Sequence, residues 1–265
     1  MLPDDLVVLD DTRGMRSLLA LLGPESPACR AARVLLAAHE PLLLCTGFPV
    51  QDTSETDGPA GTVALARALR ELGRDVTVVS WAEALAAWAP ALGALPTRAL
   101  RRGRAPERLS GALVTVEACG RTATGAYLNV RGEDVRERAP WFEDAVGTHA
   151  LVSFGDGGNE FGMGSAPSGW FEARRVEKPA STCDVLVVGQ VSNWAVLAVV
   201  AALGRVTDRD LLPLPDDYQA LLEALAANGV VDGVRRVAEP TEDGFELGRA
   251  RAILVALRRW LSAPG

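Results

Sequence analysis

The sequence predicts an α/β fold in which a doubly wound, mostly parallel sheet carries helices on both faces. Five short, uniformly apolar runs are spaced along the chain, and segments with helical periodicity lie between most of them. Apolar runs without alternation are typical of parallel strands buried on both faces, and strands alternating with helices favour a doubly wound sheet. With 265 residues, 48% of them hydrophobic, the chain is long enough for the core of such a domain.

The first 40 residues are predicted to form a helical segment packed on this domain. Segments rich in Ala, Leu and Arg cover Met15 to Leu22 and Ala28 to Ala38, and Gly-Pro and Ser-Pro pairs separate them. We therefore expect residues 1–265 to form a single domain that includes this helical segment.

Each later element follows from an apolar run or from helical periodicity. The predicted strands are Leu42–Cys45, Asp75–Ser80, Ala112–Val116, His149–Phe154 and Asp184–Gly189. The predicted helices are Pro59–Leu72, Trp81–Leu92, Asn193–Leu203, Asp217–Ala227 and Leu247–Leu261. Residues 93–110 and 120–145 are predicted to be irregular, Arg-rich segments that form surface cover or a lid.

The amino-acid composition excludes several functional classes. The net charge is -7 and Lys178 is the only lysine, so the chain lacks the basic surface of a nucleic-acid-binding protein. Two histidines exclude a His-rich zinc site. The four cysteines lie far apart, which indicates a reducing compartment and no disulfide framework.

Neither a signal peptide nor an apolar stretch long enough to span a bilayer is apparent. We expect a cytoplasmic protein with no membrane or nucleic-acid partner. A homo-oligomer is compatible with this composition.

The stretch from Gly155 to Gly164 is the strongest functional signal. It reads Gly-Asp-Gly-Gly-Asn-Glu-Phe-Gly-Met-Gly and directly follows an apolar strand. Glycine permits close approach of the backbone to a ligand, whereas flexibility alone needs no Asp, Asn and Glu among the glycines. The spacing fits neither the dinucleotide fingerprint nor the P-loop, so acid/base groups or ligands of a hard cation are the favoured interpretation.

Polar clusters follow three further predicted strands. They are Thr46-Gly47 with Glu55-Thr56-Asp57-Gly58-Pro59, then Glu117 with Arg121, Asn129 and Arg131, and finally Ser192-Asn193. Because the carboxyl ends of parallel strands share one edge, these loops are predicted to converge on one crevice. Each cluster also has a purely structural interpretation, since Asp57 and Ser192 are good helix caps and most arginines are simply exposed.

In this order, these motifs resemble the D-glutamate cyclase family over roughly residues 40 to 200. The family pattern departs at Ala118, at Leu128, at Ala195-Val196 and at Arg235-Arg236. The resemblance implies a hydro-lyase that converts D-glutamate to 5-oxo-D-proline and water, by attack of the α-amine on the γ-carboxyl group. Because the nucleophile is tethered, orientation should supply much of the rate.

The resemblance implies the following roles. Asp57, Asp156 and Glu160 are candidates for acid and base, with their individual tasks left open. Arg121 or Arg131 suits the α-carboxylate of the substrate, and the backbone amides of Gly157 and Gly158 suit an oxyanion. The full predicted substrate-binding set is Thr46, Gly47, Glu55, Arg121, Asn129, Arg131, Gly157, Gly158, Asn159, Ser192 and Asn193.

No cofactor is required by the sequence, but a divalent cation, Mg²⁺ or Mn²⁺, held by Asp57, Asp156 and Glu160 is a competing use of the same oxygens. Two other hypotheses stay open. One is a metal-dependent enzyme acting on another small amino or carboxylic acid, and the other is a non-catalytic amino-acid sensor.

Overall fold

The computed structural model describes residues 1–104, 106–174 and 176–263, and a six-stranded parallel sheet forms its centre. Its strands in chain order are β1 (Leu42–Gly47), β4 (Val76–Trp81), β5 (Thr97–Leu100), β6 (Ala112–Ala118), β7 (His149–Gly155) and β8 (Thr182–Val188). The short strands β2 (Pro49–Val50) and β3 (Thr53–Ser54) form a separate antiparallel pair.

The strand order is β5-β4-β1-β6-β7-β8, with every neighbouring pair parallel. From β1 the chain winds outward through β4 and β5, then returns to place β6 on the other side of β1. This confirms the predicted doubly wound sheet and puts its switch point between β1 and β6. Loops diverge at such a point and leave a crevice at the carboxyl edge.

Ten α-helices are present in the described residues. They are α1 (Met15–Leu21), α2 (Pro27–Ala37), α3 (Pro59–Glu71), α4 (Ala82–Ala87), α5 (Ala89–Leu92), α6 (Phe142–Val146), α7 (Ser168–Arg174), α8 (Ser192–Thr207), α9 (Pro215–Ala227) and α10 (Leu247–Ser262). Helices α1 and α2 form the helical segment that was expected before β1.

Both faces of the sheet are covered, as the apolar runs predicted. In β1, Leu42 and Leu44 lie in the core shared with α2, α3 and α8, whereas Leu43 and Cys45 lie in the core shared with α1, α6 and α7. Side chains of a strand alternate between faces, so an apolar residue at every position means burial on both sides.

Three predicted segments differ from the structure. The end of the segment 120–145, predicted to be irregular, forms most of helix α6 (Phe142–Val146). Trp81 ends β4, and the expected helix Trp81–Leu92 is divided at Trp88, just before Pro90 enters the first turn of α5. The segment 93–110, predicted to be irregular, contains the edge strand β5. Three of the four β5 residues are exposed, so this strand lacks the apolar run that marks the others.

All four cysteines are free thiols, in agreement with the expected absence of a disulfide framework. Across residues 1–104, 106–174 and 176–263, no helix combines the length and apolar character needed to cross a bilayer.

Candidate active site

A cavity of about 640 Å³ opens at the carboxyl edge of the sheet, beside the switch point. Its floor is acidic, and all of its acidic residues except Asp243 come from clusters that the sequence predicted to converge. These floor carboxylates are Glu55 after β3, Glu117 in β6, Asp156 and Glu160 after β7, and Asp243 before α10. The side chains of all five are buried.

Arginines and apolar side chains form the rest of the wall. Arg13 reaches the floor, and Arg131, Arg138, Arg174 and Arg236, which we call the rim arginines, lie farther out. Phe48, Val130, Val176 and Val234 lie among them. The cavity therefore offers negative charge at depth and positive charge near its entrance.

Glu117 and Asp156 are neighbours with different partners. Together with Glu160, each offers a carboxylate oxygen within 4.8 Å of the other two. Arg13 donates from Nη1 to Asp156 Oδ2 at 2.7 Å and to Asp243 Oδ2 at 2.5 Å. Glu117 instead accepts a hydrogen bond from Ser192 Oγ at 2.6 Å and has no cationic partner in the described part of the chain.

The two carboxyl groups differ in the charges around them. Burial raises the pKa of Glu117 well above its usual value, and the nearby charges of Glu160 and Glu55 raise it further. Burial also raises the pKa of Asp156 well above its usual value, although the charge of Arg13 opposes part of that shift. Two close carboxylates cannot both ionise freely, and the ion pair with Arg13 favours the charge on Asp156.

Glu55 carries a third perturbed carboxyl group. Burial raises the pKa of Glu55 well above its usual value, and the charges of Asp243 and Asp57 add to this shift. Its oxygens accept no hydrogen bond from the residues that the structure describes. A cation that enters the cavity therefore finds an unsatisfied acceptor at this residue.

Glu160 holds the glycine-rich loop in shape. Its carboxylate accepts hydrogen bonds from the backbone N–H groups of Asp156, Gly157 and Gly158, at 3.0, 2.5 and 2.7 Å. The Gly157 and Gly158 amides, predicted to receive an oxyanion, both donate to Glu160 in this structure, and the oxyanion role stays a prediction. Glycine is needed at position 158, where φ is +104° and a Cβ would press on Trp170.

Asp57 lies beside the cavity floor but is not part of the cavity lining. Its Oδ1 accepts from the Gly58 and Asn193 amides and its Oδ2 from the Ser192 amide, at 2.7 to 2.9 Å. It thus caps α8, and Asn193 in turn accepts from the amides of Gly58 and Gly61 and caps α3. The structure gives Asp57 this capping role, and its predicted part in proton transfer stays a prediction.

Part of the predicted substrate-binding set lines the cavity, namely Glu55, Asn129, Arg131, Gly157 and Asn159. The remaining members lie elsewhere, namely Thr46, Gly47, Arg121, Gly158, Ser192 and Asn193. Arg121 is directed away from the floor by an ion pair with Asp144 at 2.9 Å. Thr46 is fully buried, and Gly47 packs so tightly that a Cβ would lie 2.6 Å from Trp81.

Sequence motifs gave no signal for several wall residues. No recognisable pattern contains Arg13, Arg138, Arg174 or Asp243. Glu117 belongs to a predicted polar cluster, but the sequence assigns it no role. Arg236 lies in a segment that departs from the family pattern, which is the one available hint. Each of these residues reaches the cavity only through tertiary structure.

The loop of residues 232–245, which we call the C-terminal loop, is fastened to the segment before α3. Thr56 N donates to Val231 O at 2.8 Å and Thr56 Oγ1 donates to Thr241 O at 2.6 Å. The Asp232 carboxylate accepts from the amides of Val234, Arg235 and Gly244. Gly233 then lies so close to Glu55 Oε2 that any side chain there would collide with it.

The floor could also hold a metal ion. One set of three close carboxylate oxygens comes from Glu117, Asp156 and Glu160, and a second comes from Asp57, Asp156 and Asp243. The predicted set of Asp57, Asp156 and Glu160 is thus divided between them. Oxygen donors of this kind suit Mg²⁺ or Mn²⁺, although Arg13 already neutralises part of the charge on Asp156 and Asp243.

Comparisons with known proteins give matches over much of the chain. The family model described as "D-glutamate cyclase-like, C-terminal" matches residues 4–258. The chain is also similar to "D-glutamate cyclase, mitochondrial" of Homo sapiens, with 28% identity over 211 residues. The match covers 65% of this chain and 34% of the human protein, so it spans about a third of the length of that relative.

Proposed function

The chain belongs to the D-glutamate cyclase-like family, and on that premise we propose that it closes the ring of a glutamate-type amino acid. In this reaction the α-amine attacks the γ-carboxyl carbon, giving 5-oxoproline and water. D-Glutamate is the first candidate substrate. The observation that carries this proposal is the close pair of Glu117 and Asp156, of which only Asp156 has a cationic partner.

Ring closure of free glutamate moves two protons from nitrogen to oxygen. The α-ammonium group loses both on becoming the ring amide, and the departing γ-oxygen gains both on leaving as water. One group must therefore accept a proton while a neighbour donates one. Two carboxyl groups whose environments push their pKa values apart are suited to this division.

Asp156 is the base in this proposal and Glu117 is the acid. Arg13 favours the ionised form of Asp156, so its free oxygen can take a proton from the α-ammonium group. Glu117, with its raised pKa, carries a proton that it can deliver to the departing oxygen. Transfer between positioned groups of this kind contributes about 10² to 10⁴ in rate.

Other groups in the cavity would orient the substrate. The unsatisfied Glu55 carboxyl group suits the α-ammonium group, and a guanidinium from Arg131 suits the α-carboxylate through its planar pair of donors. Holding both ends of the molecule brings the amine close to the γ-carbon, and this supplies much of the rate in a tethered reaction.

The test is to incubate the purified protein with each enantiomer of glutamate and to measure 5-oxoproline by chiral chromatography. We expect turnover of D-glutamate, and a loss of at least about 100-fold in kcat for Asp156→Asn. The exposed Asp184→Asn variant is the control and should keep its activity. No product from either enantiomer, with and without Mg²⁺ or Mn²⁺, would refute the proposal, and thermal stabilisation by D-glutamate without product would favour a sensor.

A metal-dependent reaction on another small acid is the second candidate, favoured by the two sets of close carboxylate oxygens. Elemental analysis of the protein as purified, with thermal unfolding in Mn²⁺, tests it. Bound metal that raises the Tm of wild type but not of Asp156→Asn would support this candidate. A protein that contains no metal and gains no stability from Mn²⁺ would exclude it.

A further inference from the structure

The rim arginines carry positive charge that the protein itself does not neutralise. Among the described residues, Arg131, Arg138, Arg174 and Arg236 form no ion pair with any carboxylate, unlike Arg13 at the floor. An arginine in a wall, free of acidic partners, is a common device for binding an anionic group of a ligand.

Two of these guanidinium groups are held in place by uncharged contacts. Arg138 Nη1 donates to Gln51 O at 2.9 Å. Arg174 Nη2 donates to Thr12 O at 3.3 Å, and its guanidinium carbon lies 5.2 Å from the centroid of the Trp170 ring. Carbonyl oxygens and an aromatic face orient the cation without cancelling its charge, so both groups are preorganised for an anion.

Arg236 adds a third guanidinium group without an acidic partner among the described residues, at a sequence position that departs from the family pattern. Its backbone has φ +60°, in the left-handed region, and its buried Nε has no hydrogen-bond partner in the described structure. Its Nη groups donate no hydrogen bond within the described residues and are the donors available to an anion in the cavity.

The cavity is larger than a single amino acid requires. Its volume of about 640 Å³ lies within the range of roughly 300–1,000 Å³ that proteins use for drug-sized ligands. At about 30 Å³ per molecule, this space would hold around twenty waters. A glutamate on the floor, with its α-carboxylate on Arg131, would leave Arg138, Arg174 and Arg236 without a substrate group.

The floor also disfavours a second negative charge at the reacting carbon. The floor already holds five carboxyl groups and one arginine, so the γ-carboxylate of free glutamate would add a further acidic group to this crowded set. An amide at the same position is neutral and adds no acidic group. The same attack by the α-amine closes the ring on an amide carbon.

These observations lead us to infer that the preferred substrate is a γ-glutamyl amino acid, in which an amide joins the γ-carbon to the amine of a second amino acid. The carboxylate of that second amino acid would bind among Arg138, Arg174 and Arg236, while the glutamyl part lies on the floor with its α-carboxylate on Arg131. This inference rests on the ring closure proposed above and extends it to a larger substrate and a different leaving group.

The step balances without water or any other reactant. The α-nitrogen forms a bond to the γ-carbonyl carbon, and the bond from that carbon to the amide nitrogen breaks. The α-ammonium group loses two protons, and the departing nitrogen gains two and leaves as the ammonium of a free amino acid. Asp156 and Glu117 would act as base and acid as they would for free glutamate.

The test compares two substrates that differ only in the charge that would meet the rim. The wild-type protein is assayed with γ-D-glutamylglycine and with γ-D-glutamylglycinamide, following both 5-oxoproline and the released amine. We expect kcat/KM to be at least about tenfold higher for the charged substrate, the effect of a charge-assisted hydrogen bond. The L-glutamyl pair is assayed in parallel, and the same preference there would support the inference for that enantiomer.

Variants of the rim then show whether the arginines cause the preference. In Arg236→Gln and in Arg138→Gln, the ratio of kcat/KM values for the charged and neutral substrates should fall toward one. Arg98→Gln, which removes an exposed arginine outside this cavity, is the matched control and should keep the wild-type ratio. Because each ratio is measured within one protein, partial loss of folded material does not affect it.

The outcomes separate this inference from the proposed function. Turnover of D-glutamate without release of glycine from either dipeptide would overturn the inference and leave the proposed function standing. Release of glycine without turnover of D-glutamate would support the inference and remove free glutamate as the substrate. Equal rates on the charged and neutral amides would overturn the role assigned to the rim.

Discussion

Glu117 has a left-handed backbone, with φ +42°, at the point where β6 reaches the cavity floor. A residue other than glycine in this conformation costs about 1–3 kcal/mol, and such strain is concentrated at functional sites. The conformation places the carboxyl group between Ser192 Oγ and the cavity. The side chain therefore faces the substrate space with only one oxygen occupied by the protein.

Glu117→Gln should reduce kcat by about 10² to 10⁴, because the amide preserves shape but cannot donate the proton that the leaving group needs. Its thermal stability should equal or exceed that of wild type, since a buried acidic group with like-charged neighbours is removed. Steady-state kinetics and thermal unfolding measure the two effects. The exposed Glu107→Gln variant should change neither, and full activity in Glu117→Gln would contradict the assigned role.

Glu55 should make stability depend on pH. Its folded pKa is raised, so the folded chain holds this proton more strongly than the unfolded chain does. The stability contributed by this group therefore falls as pH rises from about 4.3, the unfolded value, through the folded pKa. Glu55→Gln removes this decline, because a glutamine has no proton to lose.

The Tm of Glu55→Gln minus the Tm of wild type should accordingly increase as the pH rises from about 4 to about 8. If the variant is more stable than wild type by about 1 kcal/mol at pH 8, its Tm is higher by about 2–4 °C in a chain of this size. Thermal unfolding across this range checks the result. The exposed Glu223→Gln variant should show a constant difference from wild type, and a constant difference for Glu55→Gln would disprove the linkage.

At the scale of elements, α3 and α8 cap each other. Asp57, just before α3, accepts the first amides of α8, and Asn193 in α8 accepts amides at the start of α3. Asn193 also donates to Thr56 O and to Glu242 Oε1, at 3.0 and 2.7 Å. Both helices thus begin at one buried cluster of hydrogen bonds next to the cavity floor.

Asn193→Ala should destabilise the fold by about 3 kcal/mol, because it removes a helix cap and leaves buried donors and acceptors without partners. Urea unfolding measures this loss. Asn228→Ala is the matched control, since Asn228 is exposed and donates only to Ala224 O. The control should cost less than about 0.5 kcal/mol, and an equally small loss for Asn193→Ala would show that the reciprocal capping adds little.

The elements that the sequence predicted well are those with an unbroken local signal. The runs at Leu42–Cys45 and His149–Phe154 are apolar at every position because both faces of the sheet are covered, and the structure contains strands there. The edge strand β5 escaped prediction because it is paired on one side only and is mostly exposed. Burial, which produces the recognisable pattern, is what this strand lacks.

The candidate site was predictable only where a loop follows a recognised strand. Glu55 follows the short strand β3, and Asp156 follows strand β7 of the central sheet. Both were predicted to converge, and both line the cavity. Arg13 and Asp243 belong to no motif, and their contact joins segments 230 residues apart in sequence. Nor could spacing show that Glu160 would occupy the loop amides, since that depends on the direction of its side chain.

For the whole molecule, Arg13 is the link between distant parts of the chain. It bridges Asp156 in the loop after β7 and Asp243 in the C-terminal loop. Arg13→Gln leaves both carboxylates without their cation. We expect the free energy of unfolding to fall by about 2–3 kcal/mol. This is near the lower end for a broken buried ion pair, because the Arg13 side chain is 27% exposed.

Adding Asp243→Asn to Arg13→Gln should restore part of this stability, since one of the two unpaired charges is then removed. Chemical denaturation of the single and double variants measures the recovery. Arg251→Gln breaks an exposed ion pair with Asp216 and should cost less than about 1 kcal/mol. A double variant that is less stable than Arg13→Gln would contradict the account of Arg13 as a shared counter-charge.

The contact between Arg13 and Asp243 also orders events in time. A ribosome adds about 5–20 residues per second, so roughly 12 to 46 s separate synthesis of the arginine from synthesis of this acceptor, 230 residues later. In the last part of that interval, once Val188 has been made, the sheet and the glycine-rich loop can be complete while one wall of the cavity does not yet exist. A nascent chain that stalls before Asp243 can therefore present a formed sheet but not a finished cavity, because the wall before α10 has not yet been made.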